Sequence, residues 1–161
     1  MRTRLEYWAV MAVRAVACRL PDSAVRLMGS ALGLTFYALD GPHRRVALAN
    51  LEQCFPARSA AERRAIARAM FKHFGHVLMA LLTFSALSDE EMLARAEFEG
   101  EDRVRLAYAK GRGVLFFTGH FGFWEQQALA HGLQLRPIGV LARALDNPRL
   151  NELLEQMRTR T

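Results

Sequence analysis

Residues 118–125 of the chain, Thr-Gly-His-Phe-Gly-Phe-Trp-Glu, carry the side chains best suited to chemistry. His120 is followed five positions later by Glu125, a spacing that would separate the two side chains on one continuous helix. Gly119 and Gly122 allow a turn here, so the carboxylate can fold back toward the imidazole. A carboxylate on one ring nitrogen raises the basicity of the other, which can take a proton from a hydroxyl. The pattern predicts His120 as a general base and Glu125 as its partner.

This pair suits the transfer of an acyl group from a thioester to an alcohol. An alcohol is a poor nucleophile at neutral pH, whereas a thioester is already a reactive donor, so a base and some oxyanion stabilisation suffice. No serine or cysteine lies in a GxSxG elbow, so no acyl-enzyme is expected. The HxxxxE pattern alone is loose and occurs by chance, and Trp124 is expected to pack beneath the site.

The elements expected to position this pair form an α/β structure. Residues 113–119 are wholly apolar between glycines, which is typical of a strand buried on both faces. Residues 96–100 and 136–142 are further predicted strands, and helices are predicted over 101–111, over 123–132 and after an Asn147-Pro148 start. Alternating strands and helices favour a parallel sheet, with His120 just past the carboxyl end of a strand.

The first 95 residues are predicted to be helical. Ser59 with Glu62 and Ser88 with Glu91 have the spacing of capping boxes. Apolar stretches at 5–20 and 24–39 are interrupted by arginines, so we expect helices that lie in a membrane interface without crossing it. The alternative is that these helices simply cover a core. The other predicted helices span 43–54 and 59–85.

The composition restricts the possible classes of function but does not decide among them. The formal net charge of +6 indicates an anionic partner, although the scattered charge argues against nucleic acid. Cys18 and Cys54 lack metal-knuckle spacing and are expected to be small buried residues. His73 and His76 lie one helical turn apart but have no third ligand, so no metal site is predicted.

Three stretches of the chain resemble one family: GRGVLFFTGHFGFWE, RRVALANLEQCFP and RALDNPRLNELLEQMRTR. Taken in their order along the chain, they are similar to the bacterial lipid A biosynthesis (lauroyl/myristoyl) acyltransferases of the lysophospholipid-acyltransferase-like superfamily. The resemblance implies that His120 and Glu125 are catalytic, that Arg143 binds phosphates, and that Gly122 and Phe123 border the substrate. The family usually has asparagine where this chain has Phe123, which is expected to reshape the pocket.

The resemblance also implies an organisation. Family members continue further, so the chain resembles an N-terminal portion of one acyltransferase domain with an incomplete sheet. Within 1–161 we expect membrane-associating helices over 1–40, a helical segment over 41–95 and the first part of the α/β core over 96–161. The location implied is the cytoplasmic face of the bacterial inner membrane, in peripheral or monotopic association.

The function implied is O-acyl transfer from an acyl carrier protein or coenzyme A thioester to a hydroxyl of a lipid A precursor or related glycolipid. No cofactor is needed beyond this donor. Two alternatives stay open: a truncated, non-catalytic membrane-binding relative, and an acyl-thioester or lipid hydrolase that uses the same dyad on water.

Overall fold

The computed structural model describes residues 2–119 and 121–159, which form helices joined by irregular segments. The chain divides into two compact units. Residues 13–83 form one, called here the α2–α4 unit, and residues 1–12 with 84–161 form the other, called the motif unit. The helices are α1 (Arg2–Ala17), α2 (Asp22–Leu39), α3 (Gly41–Cys54), α4 (Ala60–Phe84), α5 (Asp89–Leu93), α6 (Glu101–Ala109), α7 (Trp124–Gln134) and α8 (Pro148–Arg158).

Helix starts follow the local signals in the sequence. At α5, the Ser88 side chain accepts a hydrogen bond from the Glu91 backbone and the Glu91 carboxylate accepts one from the Ser88 backbone, which completes the predicted capping box. Ser59 and Glu62 exchange the same two bonds ahead of α4. At α8, the Asn147 side chain accepts from the Arg149 N–H and Pro148 begins the helix, as predicted.

The predicted α/β fold with a parallel sheet is wrong. No strand is present among residues 2–119 and 121–159, and residues 96–100, 113–119 and 136–142 are irregular instead. The apolar side chains expected inside a sheet are exposed, Leu115 by 79% and Phe117 by 90%. A strand needs a neighbouring strand for its backbone hydrogen bonds. No strand from the described part of the chain pairs with these segments, so their apolar composition does not produce a sheet.

Close backbone contact defines the α2–α4 unit. A Cβ atom placed on Gly75 would lie 2.0 Å from the Gly29 carbonyl oxygen, and one on Gly33 would lie 2.2 Å from the Phe71 carbonyl oxygen. Any side chain at these positions would therefore collide with backbone rather than with a movable group. Glycine at positions 29, 33 and 75 lets α2 and α4 approach more closely than ordinary helix pairs.

We expect Gly75→Ala to force α2 and α4 apart and to lower the free energy of unfolding by about 1–3 kcal/mol, since overpacked cores lose stability. Gly41→Ala is the matched control, because a Cβ there meets only the ends of two flexible side chains, Arg45 Nη1 at 3.3 Å and Arg44 Nη2 at 3.9 Å. The control should be neutral or slightly stabilising. Urea unfolding of both variants measures the difference, and equal stability would contradict a tight crossing.

His76 lies beside this crossing on α4. Its Nε2 atom is 2.7 Å from the Ser30 hydroxyl of α2. Burial lowers the pKa of His76 below its ordinary value of 6.5, and the positive charges of Arg26 and Lys72 nearby lower it further. The folded state therefore favours the neutral ring. The resulting stabilisation is fully present above about pH 6.5 and is lost as the pH falls below that value.

We expect acidification from about pH 7.5 to about pH 5.5 to destabilise the native chain more than a His76→Gln variant, since glutamine cannot take up a proton there. Glutamine keeps a polar group near Ser30, which separates titration from the loss of a hydrogen bond. Urea midpoints at the two pH values give the comparison. The same pH-dependent loss in both proteins would remove His76 as its source.

The motif unit is built around a small apolar core. Phe84, Met92 and Leu129 are buried together, with Leu87, Phe123 and Leu133 packed against them. The Phe84 and Phe123 rings meet edge to face at 5.5 Å. This core contacts α5 and α7, and it holds the beginning of α7 in place.

The first turns of α1 are held by contacts from the start of α8. Asn147, at the start of α8, donates to the Thr3 carbonyl and to the Glu6 carboxylate, both at 2.9 Å, which ties the first turns of α1 to α8. Along the described parts of the chain, every helix is too short or too polar to span a bilayer.

Candidate active site

Glu125 occupies the first turn of α7, which begins at Trp124. It is only 7% exposed, although a free carboxylate is among the groups least often buried. The positive end of the helix dipole lies at this terminus and favours a negative charge there. Glu125 is thus a buried carboxylate at the N-terminus of a helix.

Arg158, in the last turn of α8, pairs with this carboxylate. Its Nη2 atom lies 2.6 Å from Oε1 of Glu125 and its Nε atom lies 3.2 Å from Oε2, so the guanidinium fork holds both oxygens. The hydrogen bond to Glu125 raises the pKa of Arg158. The guanidinium also lies over the ring of Trp124 at 5.8 Å. The carboxylate is thereby oriented and covered on one side.

The chain changes direction just ahead of this carboxylate. Gly122 has a φ of 64°, a conformation that glycine adopts without steric cost. The Phe121 N–H donates to the Gly119 carbonyl oxygen at 2.8 Å. His120 lies outside the described residues. The turn predicted at the glycines is therefore present at Gly122, while the pairing of His120 with Glu125 stays a prediction.

The other predicted site residues lie in different surroundings. Phe123 precedes α7 and packs into the apolar core against Phe84. Arg143 lies in the irregular segment before α8, with 89% of its side chain exposed, and its Nη2 atom is 3.3 Å from the Asp146 carboxylate. Gly122 and Phe123 adjoin Glu125 in sequence. Arg143 is open to solvent, so its guanidinium is available to a ligand.

His131 is the other histidine of the motif unit and the alternative candidate for a base. Its Nε2 atom is 2.9 Å from the Tyr108 hydroxyl, and burial lowers the pKa of His131. It lies six residues beyond Glu125 on α7, so about 9 Å of helix separates the two. His131 is hydrogen-bonded to Tyr108 and lies far from the Glu125 carboxylate. His120 therefore stays the better candidate for the general base.

A cavity of about 40 Å³ adjoins the Glu125–Arg158 pair. Its wall is otherwise made by small and aliphatic residues, namely Ala128, Leu129, Gly132, Ile138 and Val140. A volume of this size holds about one water molecule. The ion pair is therefore set in a mostly apolar surround, where its electrostatic effect is stronger than in water.

Arg158 is the functional candidate that sequence reasoning missed. A signal was present, because a basic residue in the last turn of α8 is recognisable as a helix-terminal charge. That signal gives no partner, however, since 33 residues separate Arg158 from Glu125. Only the tertiary structure brings the two charges together.

We expect Arg158→Met to lower the free energy of unfolding by about 3–5 kcal/mol, because it leaves the buried carboxylate of Glu125 without a counter-charge. Glu125→Gln should cost less, since Arg158 keeps Glu155 as a second partner at 3.3 Å. The double variant should recover much of the loss, because no buried charge then stays unpaired. Chemical denaturation of all four proteins measures the coupling, and additive single effects would contradict a mutual pair.

Comparison with known proteins identifies the family of the chain. The family model for bacterial lipid A biosynthesis acyltransferases matches residues 1–161. The Escherichia coli lipid A biosynthesis lauroyltransferase is 30% identical over 91% of this chain and 47% of its own length. The E. coli palmitoleoyltransferase is 27% identical over 95% and 48%. A Haemophilus influenzae lipid A biosynthesis acyltransferase is 32% identical over 96% and 50%. No solved structure matches.

The buried acid of the HxxxxE segment and its turn are consistent with an acyltransferase-type site. The chain belongs to the bacterial lipid A biosynthesis acyltransferase family, as its resemblance predicted. It spans about half the length of the curated relatives that it matches.

Proposed function

We propose that the protein is an O-acyltransferase that moves a fatty acyl chain from a thioester donor to a hydroxyl of a lipid A precursor or related glycolipid. The observation that carries the proposal is the family match over residues 1–161, which includes the HxxxxE segment. The buried, charge-paired Glu125 supports it, because a carboxylate held in one orientation suits a partner for a catalytic histidine.

The reaction needs one proton acceptor. His120 takes the proton of the acceptor hydroxyl as its oxygen attacks the thioester carbonyl carbon. The tetrahedral intermediate then collapses, the carbon–sulfur bond breaks, and the leaving thiolate takes the proton back from the imidazolium. An ester and a free thiol result, and the histidine returns to its starting state.

Glu125 and Arg158 act on this step through orientation. A carboxylate can accept about four hydrogen bonds, and Arg158 uses two of these positions. A position is therefore left for the N–H of the His120 ring. The carboxylate would fix the ring tautomer and stabilise the imidazolium, and Arg158 would hold the carboxylate in the required direction.

The same family match supports a proposal for donor, acceptor and location. The donor is an acyl carrier protein or coenzyme A thioester, and the acceptor hydroxyl belongs to a lipid or glycolipid. Arg143 is exposed and presents a planar fork that matches a phosphate group, so we assign it to phosphates of donor or acceptor. The enzyme would act peripherally at the cytoplasmic face of the inner membrane.

A hydrolase that uses the same residues on water is the second candidate. The observation that favours it is the exposure of the apolar residues beside the motif, since Phe117 and Phe121 are 90% and 94% exposed. A site that does not exclude water lets water compete with the acceptor hydroxyl. The product separates the two functions, because hydrolysis releases free fatty acid.

We expect the chain to transfer label from acyl carrier protein carrying a radioactive acyl group to a glycolipid in a bacterial lipid extract. His120→Ala should abolish the transfer, with a loss of at least about a hundredfold, because the general base is removed. Thin-layer chromatography identifies the lipid that gains label. His73→Ala is the matched control, since His73 is an exposed histidine of α4 in the other unit.

Label that appears only as free fatty acid would replace the transferase with the hydrolase. A folded chain that moves no label at all would favour the non-catalytic, membrane-binding alternative. Equal activity in the His120→Ala and native chains would contradict the assigned base.

A further inference from the structure

A cleft of about 600 Å³ lies among α2, α3 and α4 of the α2–α4 unit. Its volume is within the range of about 300–1,000 Å³ that small-molecule sites occupy. Two of the apolar side chains along it, Val46 and Phe74, are 60% and 62% exposed. The other apolar walls include Leu32, Phe36, Met70 and Leu78. Apolar surface of this extent is rarely left uncovered in a protein without a ligand or partner.

The few polar groups of the lining are mostly paired with one another. The Asp40 carboxylate accepts from the His43 backbone at the start of α3, and its second oxygen lies 2.8 Å from Nδ1 of the His43 ring. Asn50 adds an amide farther along α3. The lining therefore offers a long apolar surface with polar groups in few places, as an acyl chain requires.

Two arginines lie at an aromatic ring that contacts the cleft lining. The Phe71 ring, part of the lining, meets the Tyr37 ring edge to face at 5.5 Å. The guanidinium groups of Arg44 and Arg68 lie 5.5 Å and 6.0 Å from the centre of that same Tyr37 ring. Arg44 uses one nitrogen, Nη1, to cap the carbonyl oxygens of Tyr37 and Ala38, which leaves its other donors available.

The net charge of the protein is concentrated in the same unit. Residues 13–83 contain ten basic and four acidic side chains, a net charge of +6. Residues 1–12 and 84–161 contain twelve of each, a net charge of zero. The formal charge of +6 is thus a property of the unit that contains the cleft, and it is complementary to an anionic surface.

We propose that this cleft binds one acyl chain of an anionic bilayer phospholipid, with the lipid phosphate at the guanidinium groups of Arg44 and Arg68. The apolar walls take the chain, and the two guanidinium groups take the negative charge. This site is separate from the HxxxxE segment and does not depend on acyl transfer. It would give the α2–α4 unit a preference for anionic membrane surfaces.

Co-sedimentation with vesicles tests the charge component, using phosphatidylcholine alone and phosphatidylcholine mixed with phosphatidylglycerol. The native chain should bind the mixed vesicles preferentially. Arg68→Glu should weaken that binding by roughly ten- to thirtyfold, because each basic residue near an anionic surface adds about 1 kcal/mol. Arg103→Glu, the same charge reversal on exposed α6 of the neutral unit, should change it far less.

The cleft itself is tested by filling it. Ala47 contributes to the lining from α3, so Ala47→Trp should block the chain and weaken binding to the mixed vesicles several-fold. Ala49→Trp adds the same ring to an exposed position of α3 outside the lining and is the matched control. Circular dichroism checks the fold of each variant, and Arg68→Gln replaces Arg68→Glu if the latter is unfolded.

A fluorescent probe reports occupancy directly. Cys18→Ala leaves Cys54, which lines the cleft, as the only cysteine available for labelling. Phosphatidylglycerol with a nitroxide on its acyl chain should quench a dye at Cys54, and Ala47→Trp should reduce the quenching.

Binding that ignores phosphatidylglycerol, or that falls equally in Arg68→Glu and Arg103→Glu, would overturn the phosphate assignment. Equal binding by Ala47→Trp and Ala49→Trp, or quenching that Ala47→Trp leaves unchanged, would overturn the acyl-chain site.

Discussion

The pairing of Glu125 with Arg158 is the constraint around which the motif unit is organised. A buried carboxylate is costly without a counter-charge, and Arg158 supplies this charge from the far end of α8. The opposite end of α8 is held by Asn147, which bonds to Thr3 and Glu6 of α1. Polar contacts at both ends thus fix α8 against α7 and α1, and they place Arg158 where it can orient Glu125, the proposed partner of His120.

The two units differ in helix packing and in net charge. In the α2–α4 unit, Gly29, Gly33 and Gly75 let two helices meet through their backbones, and Gly33 and Gly75 also line the mostly apolar cleft. This unit also holds all of the net positive charge. The motif unit has a net charge of zero, and its Glu125 carboxylate is buried. The first unit therefore suits the proposed lipid site, and the second suits the proposed proton transfer.

Local signals predicted the helices well. Ser88 with Glu91 and Ser59 with Glu62 are capping boxes in the structure, and Asn147 with Pro148 begins α8 as expected. These features depend on residues three or four positions apart, so the sequence contains all the information. The apolar run at 113–119 was different, because composition alone cannot provide the neighbouring strand whose hydrogen bonds a strand requires. That run is irregular and exposed, and the expected sheet is absent from the described residues.

The candidate site likewise combines features set by neighbouring residues with features set by tertiary contacts. The sequence by itself determined the family, the HxxxxE segment, the glycine turn at Gly122 and the position of Glu125 at a helix start, because each rests on neighbouring residues. Only the tertiary structure decided that Glu125 is buried and that Arg158 is its partner. It also decided that Arg44 and Arg68 both lie at the Tyr37 ring, which contacts Phe71 of the apolar cleft. These pairings join residues distant along the chain, and packing, not local propensity, determines which of them come into contact.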